Sequence, residues 1–321
     1  MQKSAQTATS QADTAVRLSG AVKIYRQKQP AKSPEDWFNP KYKQIAALDD
    51  VSFTINRGEF VAYAGPNGAG KSTTIKLLGG MLQQTSGEIS VLGRSPVKNR
   101  VALMRRLGIL FGNRTELWWD HPVSASYRWK QKVWGISKGD FDYMEGLVLE
   151  LLGISPFYNT FARELSLGQR MRADLGMMLL HKPELILLDE PTLGLDVLAK
   201  RQMIGFLKRI NEQENTTVVV TSHDMDDLEE MAQRILLIAN GKLAFDGDFS
   251  ALRSTLGLTR RALVSYRDGG KIERVYSDTG TLLREIAELG EVEDVSLTQT
   301  SLEEGLANLF ERWNIEGRQA T

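Results

Sequence analysis

Two short stretches of this 321-residue chain carry the groups needed for phosphate chemistry. The first, "GPNGAGKST", runs Gly65, Pro66, Asn67, Gly68, Ala69, Gly70, Lys71, Ser72, Thr73. Its glycines let the backbone curl until successive N–H groups point at phosphate oxygens, and a helix opening at Lys71 adds a favourable dipole. Lys71 can then reach the outer phosphates, and the Ser72 hydroxyl can ligate Mg²⁺. The second stretch, "ELILLDEP", sets Asp189 and Glu190 at the end of four consecutive apolar residues. Such a run reads as a parallel strand buried on both faces. Two carboxylates at its end are costly unless something charged sits against them. Asp189 suits a magnesium shell, and Glu190 can polarise an attacking water.

A third stretch, "LSLGQRMRADLGMMLL" (165–180), opens a second helix with a turn built from Ser166, Gly168 and Gln169. Hydroxyl, backbone N–H and helix dipole together suit another phosphate, although Ser166 also serves as an ordinary helix cap. One nucleotide cradle does not need two such turns in one chain.

Composition narrows the classes. The chain holds 40 basic and 40 acidic residues, so no strong chain-wide field favours nucleic acid or anionic lipid. Without cysteine there is no disulfide framework and no thiolate metal site, and three scattered histidines make a poor one. No apolar run approaches the ~20 residues that span a bilayer. The opening "MQKSAQTATSQADTAVRL" lacks the apolar stretch of a signal peptide, and residues 1–15 read as a disordered polar tail. A soluble, intracellular protein is expected.

The elements that must position these groups follow from periodicity. Residues 16–25 alternate as a strand, and 26–47, rich in proline and charge, read as a surface insertion. "VSFTI" (51–55) and "EFVAYA" (59–64), flanking Arg57-Gly58, are expected to form a hairpin whose second strand enters the phosphate loop. "GEISVLG" (87–93) reads as a strand, and about 100–181 as largely helical, broken by "GILFGNRTELWWDHP". From 184 the pattern is α/β: strand, helix near 197–213, strand "TTVVVTS", helix 226–232, strand "RILLIAN". Residues 248–321 form a separate α+β appendage, closing with a helix capped by Ser301 and Glu304. Leu302, Leu306, Leu309, Phe310 and Trp313 share one face of that helix.

"GPNGAGKST", "LSLGQR", "LILLDEP", "GLD" (194–196) and "TSH" (221–223) occur in an order and spacing that resemble the ATPases of ATP-binding cassette (ABC) transporters, over about residues 16–247. The resemblance implies an α/β fold: a P-loop NTPase core of ABC type with an antiparallel β subdomain and an α-helical subdomain. It implies ATP with Mg²⁺, and head-to-tail pairing of two ATPase subunits, each nucleotide lying between one subunit's phosphate loop and the other's signature turn. Ser166, Gly168 and Gln169 would therefore face the partner's γ-phosphate. Tyr25 is similar to the aromatic that stacks on adenine, an ordinary surface tyrosine being the other reading. Asp196 resembles a dimer-contact aspartate, and His223 the histidine that contacts the γ-phosphate.

Two departures stand out. Leu167 occupies a position where the signature commonly has glycine. Asn113 stands where the family usually has glutamine. It keeps the amide oxygen assigned to metal and nucleotide, but its shorter reach favours a bridging water. Trp118 and Trp119 follow; adjacent aromatics cannot share one face, so either packs in the helical subdomain or meets a partner.

"LWWDHP", "LSLGQRMRADL", the insertion and "SLEEGLANLF" resemble the ABC-2-type exporter group. This implies a cytoplasmic ATPase on the cytoplasmic face of the membrane, serving a separate multi-spanning permease, with no nucleic-acid partner. The competing readings are a soluble ABC ATPase acting on another macromolecule and a non-catalytic nucleotide binder.

Overall fold

The computed structural model describes residues 13–30, 35–38, 41–112, 114–222, 224–257, 260–267, 270–276, 279–288, 292–299, 301–307 and 309. Asn113, His223, Phe310 and Trp313 lie outside them, as does the expected polar tail as far as residue 12.

In chain order the elements are β1 (Thr14–Lys28), α1 (Glu35–Phe38), β2 (Tyr42–Asn56), β3 (Phe60–Ala64), α2 (Lys71–Leu78), β4 (Ser86–Val91), α3 (Arg100–Met104) and β5 (Leu107–Phe111). Then come α4 (Val123–Trp134), α5 (Lys138–Leu151), α6 (Leu167–Leu179), β6 (Leu185–Asp189), α7 (Val197–Glu214), β7 (Thr217–Thr221), α8 (Met225–Met231), β8 (Arg234–Ala239) and β9 (Lys242–Asp248). The chain ends through α9 (Phe249–Thr255), β10 (Arg260–Tyr266), β11 (Lys271–Tyr276), α10 (Thr279–Glu288) and β12 (Val292–Gln299). It divides into two compact units, Met1–His223 with Asp227–Asp246, and Asp224–Asp226 with Gly247–Thr321.

The first unit is built on a six-stranded sheet in the order β5-β6-β7-β3-β8-β9, with parallel pairing from β5 through β8. Residues of β3, β6 and β7 are almost all buried, as continuous apolar runs require when both faces are covered. The second sheet is antiparallel, in the order β2-β1-β4. Inward residues of β1 and β2, such as Leu18, Leu48 and Ile55, join one core with Ile75 and Leu78 of α2 and Leu187 of β6. Helices α4, α5 and α6 form the helical subdomain, where the buried Tyr127 donates to the Ala173 carbonyl at 2.8 Å.

Two expectations need correction. The strands at 51–55 and 59–64 do not form a hairpin: β2 pairs with β1, whereas β3 lies between β7 and β8. The Arg57-Gly58 turn passes the chain from one sheet to the other, and alternation cannot say which sheet a strand enters. Within the expected 26–47 insertion, β1 continues to Lys28 and β2 begins at Tyr42. Residues 14 and 15 of the expected polar tail belong to β1, which starts at Thr14. Strand β9 was unanticipated although Asn240-Gly241, with φ of 49° and 75°, supplies a two-residue hairpin turn before it.

At the N-terminal end of β6, Glu184 bridges Arg57 (2.7 Å) and Arg106, whose Nη2 lies at 2.7 Å. The Arg106 side-chain hydrogen bond leads in drawing the Glu184 pKa down to about 2. This clamp borders a cavity of about 250 Å³ at the sheet end away from the phosphate loop. The second unit is a sheet in the order β11-β10-β12, with Ala262 and Val264 packed with Leu282 and Ile286 of α10. Ser301 caps the helical turn after it, accepting from Glu304 N at 3.1 Å, and Leu302 and Leu306 are buried.

Leu187 lies in β6 in register with Ile109 of β5 and Val219 of β7, with no solvent exposure. Leu187→Ala should therefore cost ~2–5 kcal/mol in urea unfolding, because flanking strands cannot collapse into the void. A loss under ~1 kcal/mol would show that β6 is not the rigid centre of the sheet.

Candidate functional site

The phosphate loop joins the buried β3 to α2, and its curvature is set by glycines. Gly70 caps α2 with φ of 112°, and a Cβ there would lie 2.4 Å from the Ala47 carbonyl oxygen. Gly68, with φ of 81°, has open space where its Cβ would go. One position is closed by neighbouring backbone, while the other faces room that a ligand can use. Behind the loop, Thr74 Oγ1 donates to the Gly70 carbonyl at 3.1 Å and meets the Tyr63 hydroxyl at 3.0 Å. Burial pushes the Tyr63 pKa up, so this pair stays neutral.

Lys71 is only 6% exposed, and its Nζ donates to the carbonyls of Gly65 (2.7 Å) and Pro66 (3.2 Å). Burial lowers its pKa, while the charges of Glu190 and Asp189 act in the opposite direction. Lysine and carboxylates 118 and 119 positions apart in sequence are thus within electrostatic reach.

Thr221 Oγ1 donates to Asp189 Oδ1 at 2.8 Å and accepts from Glu190 N at 3.1 Å. Asp189 and Thr221 are register partners in the β6–β7 ladder. Thr221 was missed in the sequence; the signal was a hydroxyl ending an apolar strand beside the acidic one. Glu190 has φ of 58°, a left-handed conformation that costs a non-glycine residue of order 1–3 kcal/mol. Its N–H also reaches the Thr221 carbonyl at 3.1 Å, so the ladder holds the strained residue in place.

Tyr25 is partly exposed on β1, with its hydroxyl 3.4 Å from Thr73 Oγ1 and Lys23 Nζ 5.3 Å from its ring centre. It therefore lies beside the phosphate loop's helix.

Ser166 caps α6 in a complete capping box: its Oγ accepts from Gln169 N at 3.2 Å, and Ser166 N donates to Gln169 Oε1 at 2.9 Å. The turn packs on the loop after β6, since a Cβ at Gly168 would meet Leu195 and Ala199. Asp196 caps α7 through Ala199 N at 2.8 Å. Leu167, Leu193, Val197 and Leu198 are all exposed in this region.

Below the turn, α6 carries Asp174, buried and overlooked in the sequence although it interrupts an apolar run. Its Oδ1 accepts from Thr115 Oγ1 (3.0 Å) and Glu116 N (2.9 Å), fixing the segment after residue 113. Lys130, 3% exposed, reaches Glu116 at 3.6 Å. Trp118 packs on His121 and Trp129, and Trp119 lies under Arg170 at 4.6 Å. Both indoles remain partly exposed. They are held by protein on one side and reach solvent on the other.

Among the described residues no cluster of three or more His, Cys, Asp or Glu could hold a metal by itself. The Ser72 hydroxyl and Asp189 carboxylate are hard oxygen donors of the kind Mg²⁺ uses alongside substrate phosphates.

Two outcomes follow. Gly70→Ala should destabilise the fold, whereas Gly68→Ala should add only the ~1–2 kcal/mol of a left-handed alanine and be read chiefly in nucleotide affinity. Paired unfolding and binding titrations check this; equal stability losses would contradict it. Asp174 is pushed up to about 6, chiefly by burial. Its protonated form then stabilises the fold below the unfolded value near 4, and that contribution is lost as pH rises through 6. Asp174→Asn should gain stability relative to the parent across pH 4–6, by at most roughly 3 kcal/mol, then run parallel above it. A gap independent of pH would refute the assignment.

A family model described as "ABC transporter" matches residues 48–193. The chain is 33% identical to the uncharacterized ABC transporter ATP-binding protein YhcH of Bacillus subtilis, over 61% of this chain and 63% of that one. It is 32% identical to the linearmycin resistance ATP-binding protein LnrL of the same organism, over 67% and 69%. It is 30% identical to the methionine import ATP-binding protein MetN 2 of Bacillus licheniformis, over 73% and 65%. The chain thus spans just under two thirds of YhcH and MetN 2. Among solved structures, the dimeric post-hydrolysis state of the ATP-binding cassette MJ0796 with ADP and Pi superposes with a TM-score of 0.61 at 25% identity, over 73% of this chain and 98% of that one. By fold, by sequence and by the order of its motifs, the chain belongs to the ABC family of transporter ATPases.

Proposed function

We propose that this chain is the ATP-hydrolysing subunit of an ABC-2-type exporter, acting as a dimer on a separate membrane permease at the cytoplasmic face. The observation that carries the ATPase reading is the placement of Lys71, which opens α2 just past the loop after β3, within electrostatic reach of Asp189 and Glu190 at the end of β6, across the intervening β7. In this reading the loop from Gly65 to Thr73 cradles the phosphates by backbone N–H groups and Lys71 balances their charge. Tyr25 lies against the base. Glu190 accepts a proton from the attacking water as the bond between the β- and γ-phosphates breaks, giving ADP and inorganic phosphate. Mg²⁺, held by Ser72 and Asp189, would supply charge neutralisation at the phosphate oxygens.

Pairing of two subunits is supported by the exposed signature turn and its apolar surround, Leu167, Leu193, Val197 and Leu198. Ser166, Gly168, Gln169 and Asp196 are proposed to face the second subunit's nucleotide, with Asn113 and His223 completing each site. The exporter assignment rests on "LWWDHP" and the companion motifs, with one relative named for linearmycin resistance and another for methionine import. Residues 248–321 are proposed to be an accessory module.

Glu190→Gln tests the reading. It should retain ATP affinity, lose ~10²–10⁴-fold in turnover and accumulate as an ATP-bound dimer, because the cradle survives while the base is gone. Tagged protein isolated from membranes should bring down a multi-spanning partner. Near-normal turnover would remove Glu190 from its role, and capture of ribosomes or nucleic acid instead would overturn the transporter assignment.

A further inference from the structure

The segment between β1 and β2 is used by nothing described so far. Strand β4 pairs with β1 only as far as Val22, opposite Ser86. Beyond that point β1 and β2 continue as a two-stranded ribbon, Ile24 with Ala46 through Lys28 with Tyr42, closed by Gln29 N donating to the Lys41 carbonyl at 2.8 Å. Every residue from 25 to 30 and from 41 to 46 is exposed. A ribbon open on both faces gains little from its own packing.

Its tip is aromatic. Trp37 is 79% exposed and Phe38 94%, both on α1, and Tyr42 is exposed where β2 begins. Isolated exposed apolar residues are ordinary, but three large aromatics at one tip are not. The stretch is also basic in sequence. Residues 26–45 hold five basic residues (Arg26, Lys28, Lys32, Lys41, Lys43) and two acidic ones (Glu35, Asp36). In a chain with equal numbers of each sign, this is a local excess that the overall balance hides.

We propose that this ribbon and its Trp37–Phe38 tip form a membrane-interface anchor that seats on anionic phospholipid. Tryptophan and other amphipathic aromatics settle at the headgroup boundary, and lysines beside them are drawn to a negatively charged surface. The same charge disfavours tip-to-tip contact between two copies, since equal excesses of positive charge would face each other. The proposal is independent of ATP hydrolysis. Its position links the two, because Tyr25 beside the phosphate loop lies on the same strand three residues before Lys28.

Sedimentation of the full chain with vesicles tests it, using phosphatidylcholine alone and mixtures in which about a third of the lipid is phosphatidylglycerol. The parent should sediment with the mixed vesicles, weakly with neutral ones, and be released as salt is raised. Trp37→Ser with Phe38→Ser should reduce binding about fivefold or more, with an unchanged circular dichroism spectrum and unfolding midpoint. Lys28→Gln with Lys43→Gln, which leaves the aromatics in place, should lower binding to anionic vesicles only. Equal binding of both double variants and the parent overturns the anchor. So does equal sedimentation of the parent with both lipids, or sedimentation only when the vesicles carry a membrane protein, which would assign the tip to a protein partner. A concentration-dependent dimer abolished by the aromatic substitutions would assign it to a second copy.

Discussion

The structure turns on one electrostatic constraint: a nearly buried lysine opening α2, just past the loop that follows β3, must share its surroundings with two carboxylates at the end of β6. Burial disfavours the Lys71 cation, and Asp189 and Glu190 favour it. Neither sign is comfortable alone at the end of a buried strand, because stripping water from a single charge costs several kcal/mol. Together they make a site in which a nearly buried cation is compensated by two part-buried carboxylates. Strand β7 makes the arrangement possible. It lies between β3 and β6, and its terminal Thr221 holds both the Asp189 side chain and the Glu190 backbone.

The apolar runs exist to make this alignment rigid. Val218, Val219 and Val220 and the Leu-Ile-Leu-Leu of β6 are buried on both faces, so their strands cannot slide without exposing a side chain. The left-handed Glu190 is tolerated for the same reason. Its N–H is pinned by Thr221, and its carbonyl crowds Gly112, where an added Cβ would come within 2.5 Å. Backbone strain at a site persists only where its surroundings over-determine it.

The helical subdomain is organised differently, around polar groups placed inside it. Asp174 and Lys130, on α6 and α4, are both buried and both grip the 115–116 segment. That segment continues the chain from the end of β5 toward the Trp118–Trp119 pair. A shift at either end would have to move charges that are expensive to leave unpaired.

The phosphate loop, the acidic strand end and the capped turn at Ser166 were legible in the sequence because each is local: a few adjacent residues specify a turn, a strand end or a helix cap. The buried β6 was equally legible from its uninterrupted apolar run, and β3 and β7 were legible as strands. Partnership was not. Alternation told that 51–55 and 59–64 were strands, yet they entered different sheets, because periodicity reports which face of an element is buried and never what lies across it. Thr221 and Asp174 became functional candidates only when folding set them beside residues 32 and 58 positions away. The 26–47 stretch read as a surface insertion, but nothing local in it announced that its ends pair across the strands from Ile24 to Lys28. Sequence determined the chemistry available at each point on the chain; tertiary structure decided which groups meet, since the cost of burying charge is settled only by neighbours brought from far away.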